Sequence, residues 1–392
     1  MVAIGLLDIP PELQLQIAEF VETRQTLKAL SVTCRSLRSI AQSILFKTLR
    51  IDLGMKLGLR GSVDDLLANP RICAAIRFLD LRGPHNDHEQ LSLIQKMLPK
   101  VVGLRKVLVC FVNLSKTFLG ALLGIAANTP LQISLNWNMY PDGVIPMPHT
   151  RLRISHLHLT LDHPSLEFCR SLFHASATTL TALKIMEDKG RLMKLADIAL
   201  PFLHDLTLIA MENEVSRTSA AAFITAQKAI RKLGLRGTMR SLPQIPPNAL
   251  PNLRELKAST ELVNQLVPGR PVVAIEVIIT PKCDQDWFGE EVTQSTARLR
   301  MLRVHLNSGI PDTRMVKRMV TILPFLENVW LPVFDDVSWP FRSITNTLAA
   351  HFPSDTPQCR RRPYFTQVPQ VPRLQSVSSR IIGRPQHQRH RY

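Results

Sequence analysis

The sequence predicts an α/β protein with three parts: a helical N-terminal unit, a long run of strand–loop–helix repeats, and a basic tail. Three observations carry that reading. Residues 1–51 show helical spacing of apolar side chains. From Ile76 onward one apolar phrase returns about every 25 residues, ending at Leu331. Residues 359–392 contain eight arginines and no acid. The resulting boundaries are 1–51, 52–345 and 346–392.

In the N-terminal unit, Asp8 and the Pro10-Pro11 pair form a helix start, because proline is tolerated in the first turn. Leu13, Ile17, Phe20 and Val21 then share one helical face. Thr23 to Gln25 is a polar break, and a second short helix carries Leu27 and Leu30. Thr33 is the predicted N-cap of a third helix bearing Leu37, Ile40, Ala41 and Ile44. Three helices in about fifty residues enclose a small core, and a unit of that size leans on a neighbour or partner.

These residues resemble an F-box. Ile9-Pro10-Pro11-Glu12-Leu13 matches the opening Leu-Pro-x-Glu-Leu with Ile for Leu, and Ile17 and Val21 continue the helix. Leu27, Leu30 and Val32 fill the middle. Cys34-Arg35-Ser36-Leu37 matches the second half, with Thr33 inserted after Val32 and Leu37 where many members have Trp. The ending, Ala41 to Ile51, is similar to the form common in fungal members. The resemblance implies docking onto a Skp-family adaptor and, through it, a cullin scaffold with a RING-type ubiquitin ligase. Ile9, Pro10, Leu13, Ile17, Leu27, Val32, Cys34 and Leu37 would supply the apolar contact.

The repeated phrase is an apolar residue, two of any kind, an apolar residue, any residue, and an apolar residue. Its central positions are Leu79, Val107, Ile133, Leu157, Leu183, Leu206, Leu233, Leu256, Ile275, Leu302 and Val329. That makes about eleven units with the period of irregular leucine-rich repeats, which build a solenoid, or horseshoe. A Leu-Pro step precedes three copies, at Leu200, Leu250 and Leu323, and is read as ending the preceding helix. Helical spacing falls at 89–97, 116–127, 165–175, 219–230 and 314–323. The Asn or Cys that follows the strand in regular repeats is mostly missing.

Charge and cysteine usage bound the function. The formal net charge is +17, of which residues 1–51 carry +2 and residues 359–392 carry +8. The tail, with Pro363, Pro369, Pro372 and Pro385, is expected to be disordered. The six cysteines form no CxxC pair and read as buried, reduced thiols of an intracellular chain, cytoplasmic or nuclear. No signal-peptide pattern is evident at the start, and the longest apolar run, 118–127, is too short to cross a bilayer. His85/His88 and His156/His158 are the close histidine pairs, and neither has the further ligands a metal needs. No GxGxxG, P-loop, GxSxG or HExxH occurs, so no cofactor and no enzymatic role is expected.

The expectation is thus a non-catalytic ligase adaptor whose repeats bind an unidentified target protein. Asp80, Arg82, His158, Lys184 and Glu255, polar residues beside strand hydrophobics, are the candidate target-facing side chains. Its rivals are a repeat scaffold whose N-terminal helices only cap the solenoid, and a nucleic-acid binder using the tail. The exposure of Ile9, Pro10, Ile17 and Leu37 separates the first two. An aromatic content of 6% disfavours single-strand stacking by the third.

Overall fold

In a computed structural model the described residues run from 9 to 330, apart from 22, 54–67, 84–87, 142–144, 146, 149, 162–164, 188–189, 211–212, 238–240, 280–289, 307–320 and 324. The basic tail, Asp8, His85, Cys283 and Cys359 therefore lie outside the described residues, as does most of the helix expected at 314–323.

The N-terminal unit is α1 (Pro11–Glu19), α2 (Arg24–Thr33) and α3 (Arg35–Leu45). Pro11 opens α1 at a position whose N–H would be unsatisfied anyway. The Thr23 hydroxyl accepts from the Thr26 N–H at 3.1 Å and caps α2. Thr33 is not the cap of α3. It ends α2, where its hydroxyl donates back to the Leu30 carbonyl at 2.7 Å. Cys34 is extended, with φ −151° and ψ 166°, and its sulfur accepts from the Leu37 N–H. One residue therefore turns the chain between two helices.

After α3 the chain enters a parallel sheet whose twelve described strands follow sequence order. They are β1 (Thr48–Asp52), β2 (Phe78–Arg82), β3 (Lys106–Cys110), β4 (Leu131–Asn136), β5 (Ile154–Thr160) and β6 (Ala182–Glu187). β7 (Asp205–Ala210), β8 (Lys232–Gly237), β9 (Glu255–Ser259), β10 (Ala274–Ile279), β11 (Met301–Leu306) and β12 (Asn328–Trp330) complete it. All eleven predicted central positions, from Leu79 to Val329, occupy one row across the sheet. β1 adds Leu49 to that row, so the sheet begins inside the segment assigned to the N-terminal unit and straddles the 51/52 boundary. This is an irregular leucine-rich-repeat solenoid.

Parallel strands require crossovers, which here run on one side of the sheet. They contain α4 (Pro70–Ala75), α5 (His88–Met97), α6 (Lys116–Asn128), α7 (Leu166–Ser176), α8 (Glu214–Ala226) and α9 (Thr260–Leu266). α8 starts and ends earlier than its apolar spacing predicts, because Asn213 caps it by accepting from the Ser216 N–H at 2.7 Å. In three crossovers the described residues show 3-10 turns and no α-helix, at Arg191–Leu195, Pro247–Ala249 and Glu290–Gln294. The steps at Leu200 and Leu250 thus follow 3-10 turns rather than ending α-helices. The inner strand rows and the inner helix faces form one continuous core, including Leu79, Phe118, Phe173, Phe223 and Leu206.

The missing asparagines are replaced piecemeal. Among the described residues, Asn138 keeps the regular role: it is buried, accepts from the Val112 N–H at 3.0 Å and donates to the Val109 carbonyl at 2.9 Å. Elsewhere other side chains tie one repeat to the backbone of the one before. Thr179 donates to the carbonyls of Leu152 and Ile154, and Ser295 to those of Arg270 and Val272. Gln227 accepts from the Leu200 N–H and donates to the Ile198 carbonyl. The buried Arg270 guanidinium donates to the carbonyls of Ile245, Pro246 and Leu266, each at 2.9 Å, and burial lowers its pKa. Each satisfies backbone groups that the crossovers leave unpaired.

Asn138→Ala orphans two buried backbone groups at about 1–3 kcal/mol each. The expected outcome in denaturant unfolding is a loss of about 2–6 kcal/mol. Asn128→Ala, on the exposed end of α6, is expected to change stability by less than about 0.5 kcal/mol. Equal stability of the two variants would contradict the stitching role of Asn138.

Candidate functional site

Two surfaces carry side chains that the fold alone does not require. The first is the outer face of the N-terminal helices. α1 buries Gln14 and Ala18, a polar and a small residue, against the rest of the unit. The Gln14 amide donates to the Ile9 carbonyl at 2.8 Å, which satisfies its buried nitrogen. The apolar stripe points the other way: Leu13 is 47% exposed, Ile17 48% and Phe20 85%. Val32, at the end of α2, is 74% exposed and Leu15 is also exposed. The helix is therefore amphipathic with its apolar face outward, the reverse of a surface helix in a finished domain.

Pro10 is exposed, while Ile9, Cys34 and Leu37 are half-buried. Leu27 is buried and is a correction: it fills the small core beneath the face instead of lying on it. Its spacing in α2 cannot distinguish core from contact. Phe20 enlarges the face beyond the expected contact residues, and its helical spacing with Leu13 and Ile17 is the signal that points to it; Leu15, two residues from each of those, lies off this face. α3 packs against α4 of the first crossover and runs directly into β1, so it anchors the unit while α1 stays outside.

The second surface is the open face of the sheet, opposite the crossovers. Strand residues alternate, so the positions between the inner rows line up across it. Its central row includes Asp80, Ser134, His158, Lys184, Lys257, Glu276 and Arg303. Arg82 and Glu255 occupy neighbouring positions on the same side. Asp80 is buried and accepts from Arg82 Nε at 2.9 Å, so it offers little surface of its own.

Over β3–β7 this face holds a cavity of about 310 Å³, lined in part by Lys106, Ser134, His156, His158, Lys184 and Asp205. The Ser134 hydroxyl and His158 Nδ1 are hydrogen-bonded at 3.1 Å. His158 Nε2 is buried with no hydrogen-bond partner among the described residues. Burial first, and the charge of Lys184 second, push the His158 pKa down to about 4. His156, one pleat away, is exposed.

Further along, Glu276 contacts Lys257, lies 3.6 Å from Arg303 and accepts from His305 Nε2 at 2.9 Å. One carboxylate shared by three bases neutralises none of them fully. Burial, then Arg236, Arg303 and Lys232, push Lys257 down to about 8 despite its ion pair. His305 is also lowered, by burial and then by Lys257, Arg303 and Arg236, so near pH 7 its contact with Glu276 is a hydrogen bond from a neutral ring.

At the ends of β3 and β4, Phe111, Trp137 and Met139 form an exposed apolar group. Phe111 and Trp137 are left-handed, with φ of 59° and 54°, a conformation that bulky side chains rarely adopt. Nothing in the sequence marks them. Among the described cysteines, Cys169 is buried and burial pushes its thiol up to about 12, whereas Cys34 and Cys110 are only half-buried. No group of three or more His, Cys, Asp or Glu is placed to hold a metal among the described residues. No described helix is long and apolar enough to cross a membrane.

Residues 6–49 match the F-box domain. The F-box therefore covers α1–α3 and the first strand residues, the same segment whose apolar face is outward. No curated protein matches the chain. Among solved structures, the crystal structure of a TLR13–ssRNA13 complex is similar at 11% sequence identity and a TM-score of 0.22. That match covers 68% of this chain, which spans 58% of the other chain. So distant a likeness adds nothing to the argument from strand register.

The lowered pKa of His158 makes a pH prediction. The unfolded chain binds the proton near 6.5 and the folded chain only near 4. The contribution of the neutral ring is thus complete above about pH 6.5 and is lost as pH falls toward 4. The expected result is a wild-type stability that falls more steeply over this window than that of His158→Gln. Parallel pH profiles for the two proteins would contradict the burial of a neutral imidazole.

Proposed function

We propose that this chain is a substrate-recruiting subunit of an SCF-type ubiquitin ligase. Its F-box docks onto a Skp-family adaptor, and the adaptor links it to a cullin-RING ligase. The open face of the repeats captures a target protein. Catalysis is by proximity: a target lysine is held near a ubiquitin-charged enzyme supplied by the complex. The chain contributes no reacting group to that step.

The observation that carries this reading is the outward stripe of Leu13, Ile17 and Phe20 on the segment that matches the F-box. An apolar stripe on a three-helix unit is stabilised only when a partner removes it from water. Half-buried Ile9 and Leu37 and exposed Pro10 lie in the same unit and extend the contact. The packing of α3 on α4 favours a second reading, in which the helices cap the open end of the solenoid. Capping accounts for α3 and leaves the exposed face of α1 without a role.

The test is capture of the full chain by a purified Skp-family adaptor. Ile17→Asp and Phe20→Asp are each expected to weaken capture at least roughly thirtyfold, as loss of a central anchor worth about 2 kcal/mol does. Their melting temperatures should stay at the wild-type value, because both side chains face water. A folded wild-type chain that fails to bind the adaptor leaves the capping reading in first place.

A further inference from the structure

The open face carries an unbalanced group of cations over β6–β11. Lys184, Lys257 and Arg303 share the central row and are separated there by Thr207, Gly234 and Glu276. Arg236, two residues beyond Gly234 on β8, projects from the same side, and its charge acts on Lys184, Lys257 and His305. Gly234 leaves the row low at its centre: a Cβ there would lie 2.9 Å from the Thr207 hydroxyl. The acid within this group, Glu276, is already engaged by Lys257, Arg303 and His305. Lys184 and Arg236 have no carboxylate partner among the described residues.

With strands about 4.8 Å apart, Lys184 and Arg303 stand roughly 24 Å apart across five strand intervals. An extended peptide covers that distance in about seven or eight residues. The face is not built for a nucleic-acid backbone. The exposed aromatic at this end, Trp330, already stacks under Arg303 at 5.3 Å, so the row over β6–β11 has no free platform for bases among the described residues.

We propose that the row from Lys184 through Arg236 and Lys257 to Arg303 docks an extended, aspartate- or glutamate-rich segment of a partner protein. Carboxylates of the segment neutralise Lys184 and Arg236, and its backbone crosses the low stretch at Gly234. The inference rests on the target-recruiting reading only for calling that partner a target.

The test is fluorescence anisotropy of the full chain with a fluorescein-labelled octaglutamate, at about 0.05 M and 0.3 M salt. Lys184→Glu and Arg236→Glu are each expected to weaken binding at least tenfold. Lys116→Glu, on the helix side and with the same change of net charge, should leave it unchanged. Binding should also weaken at the higher salt. Equal losses in all three variants would mean general attraction to a basic chain and would overturn the proposal. So would tighter binding of a labelled octauridylate than of octaglutamate. Adaptor capture measured on the same preparations separates the two readings. A wild-type chain that captures the adaptor and ignores octaglutamate overturns this inference alone. One that binds octaglutamate through Lys184 and Arg236 but ignores the adaptor supports it and removes the ligase context.

Discussion

The whole structure depends on keeping the parallel strands in one register. A single repeat cannot bury its strand face alone, so each must align its two inner residues with those of its neighbours. The row from Leu49 to Val329 is the result, and it runs unbroken through repeats of different length and different crossover. That alignment also sets the opposite face, because the residues between the inner rows must then line up as well. Lys184, Lys257 and Arg303, far apart in sequence, become members of one row for no reason beyond the burial of the leucines beside them. The core thus determines where the surface charges meet.

The N-terminal unit obeys a different constraint. Its core is too small to absorb its apolar residues, and the fold spends that limited interior on Gln14, Ala18, Leu27 and Ala41. α3 is the hinge between the two parts. It carries α1 and α2 on one side, meets α4 on the other, and continues into the edge strand β1. One helix therefore closes the end of the solenoid and also presents the outward face of α1. Both roles come from packing, and only the second requires a partner.

The strands are legible in the sequence because few structures other than stacked strands produce a burial period of two in a phrase that recurs at a fixed step. β1 escapes that reading although Phe46, Leu49 and Ile51 fit the phrase, since its residues also complete the F-box pattern. α4 and α9 escape it because six or seven residues hold too few turns to show a helical face. Thr33 is the expected cap by residue type, and only the backbone geometry shows that Cys34 holds that position. Spacing identifies the Leu13–Ile17–Phe20 stripe but not its direction, because a face turned to the core and one turned to a partner have the same period. The cation row is only partly legible: Lys184, Lys257 and Arg303 each follow a predicted central position, but only Lys184 is singled out, and Arg236 lies two residues beyond that row.

The central claim is that the F-box face of α1 is a protein interface. Hydrogen–deuterium exchange of the full chain, with and without a Skp-family adaptor, tests it most directly. The account predicts slower exchange on adaptor binding over residues 10–20 and 30–38, with little change over β3–β11. Unchanged exchange in α1 when adaptor is present in excess, or protection confined to the sheet, would contradict it.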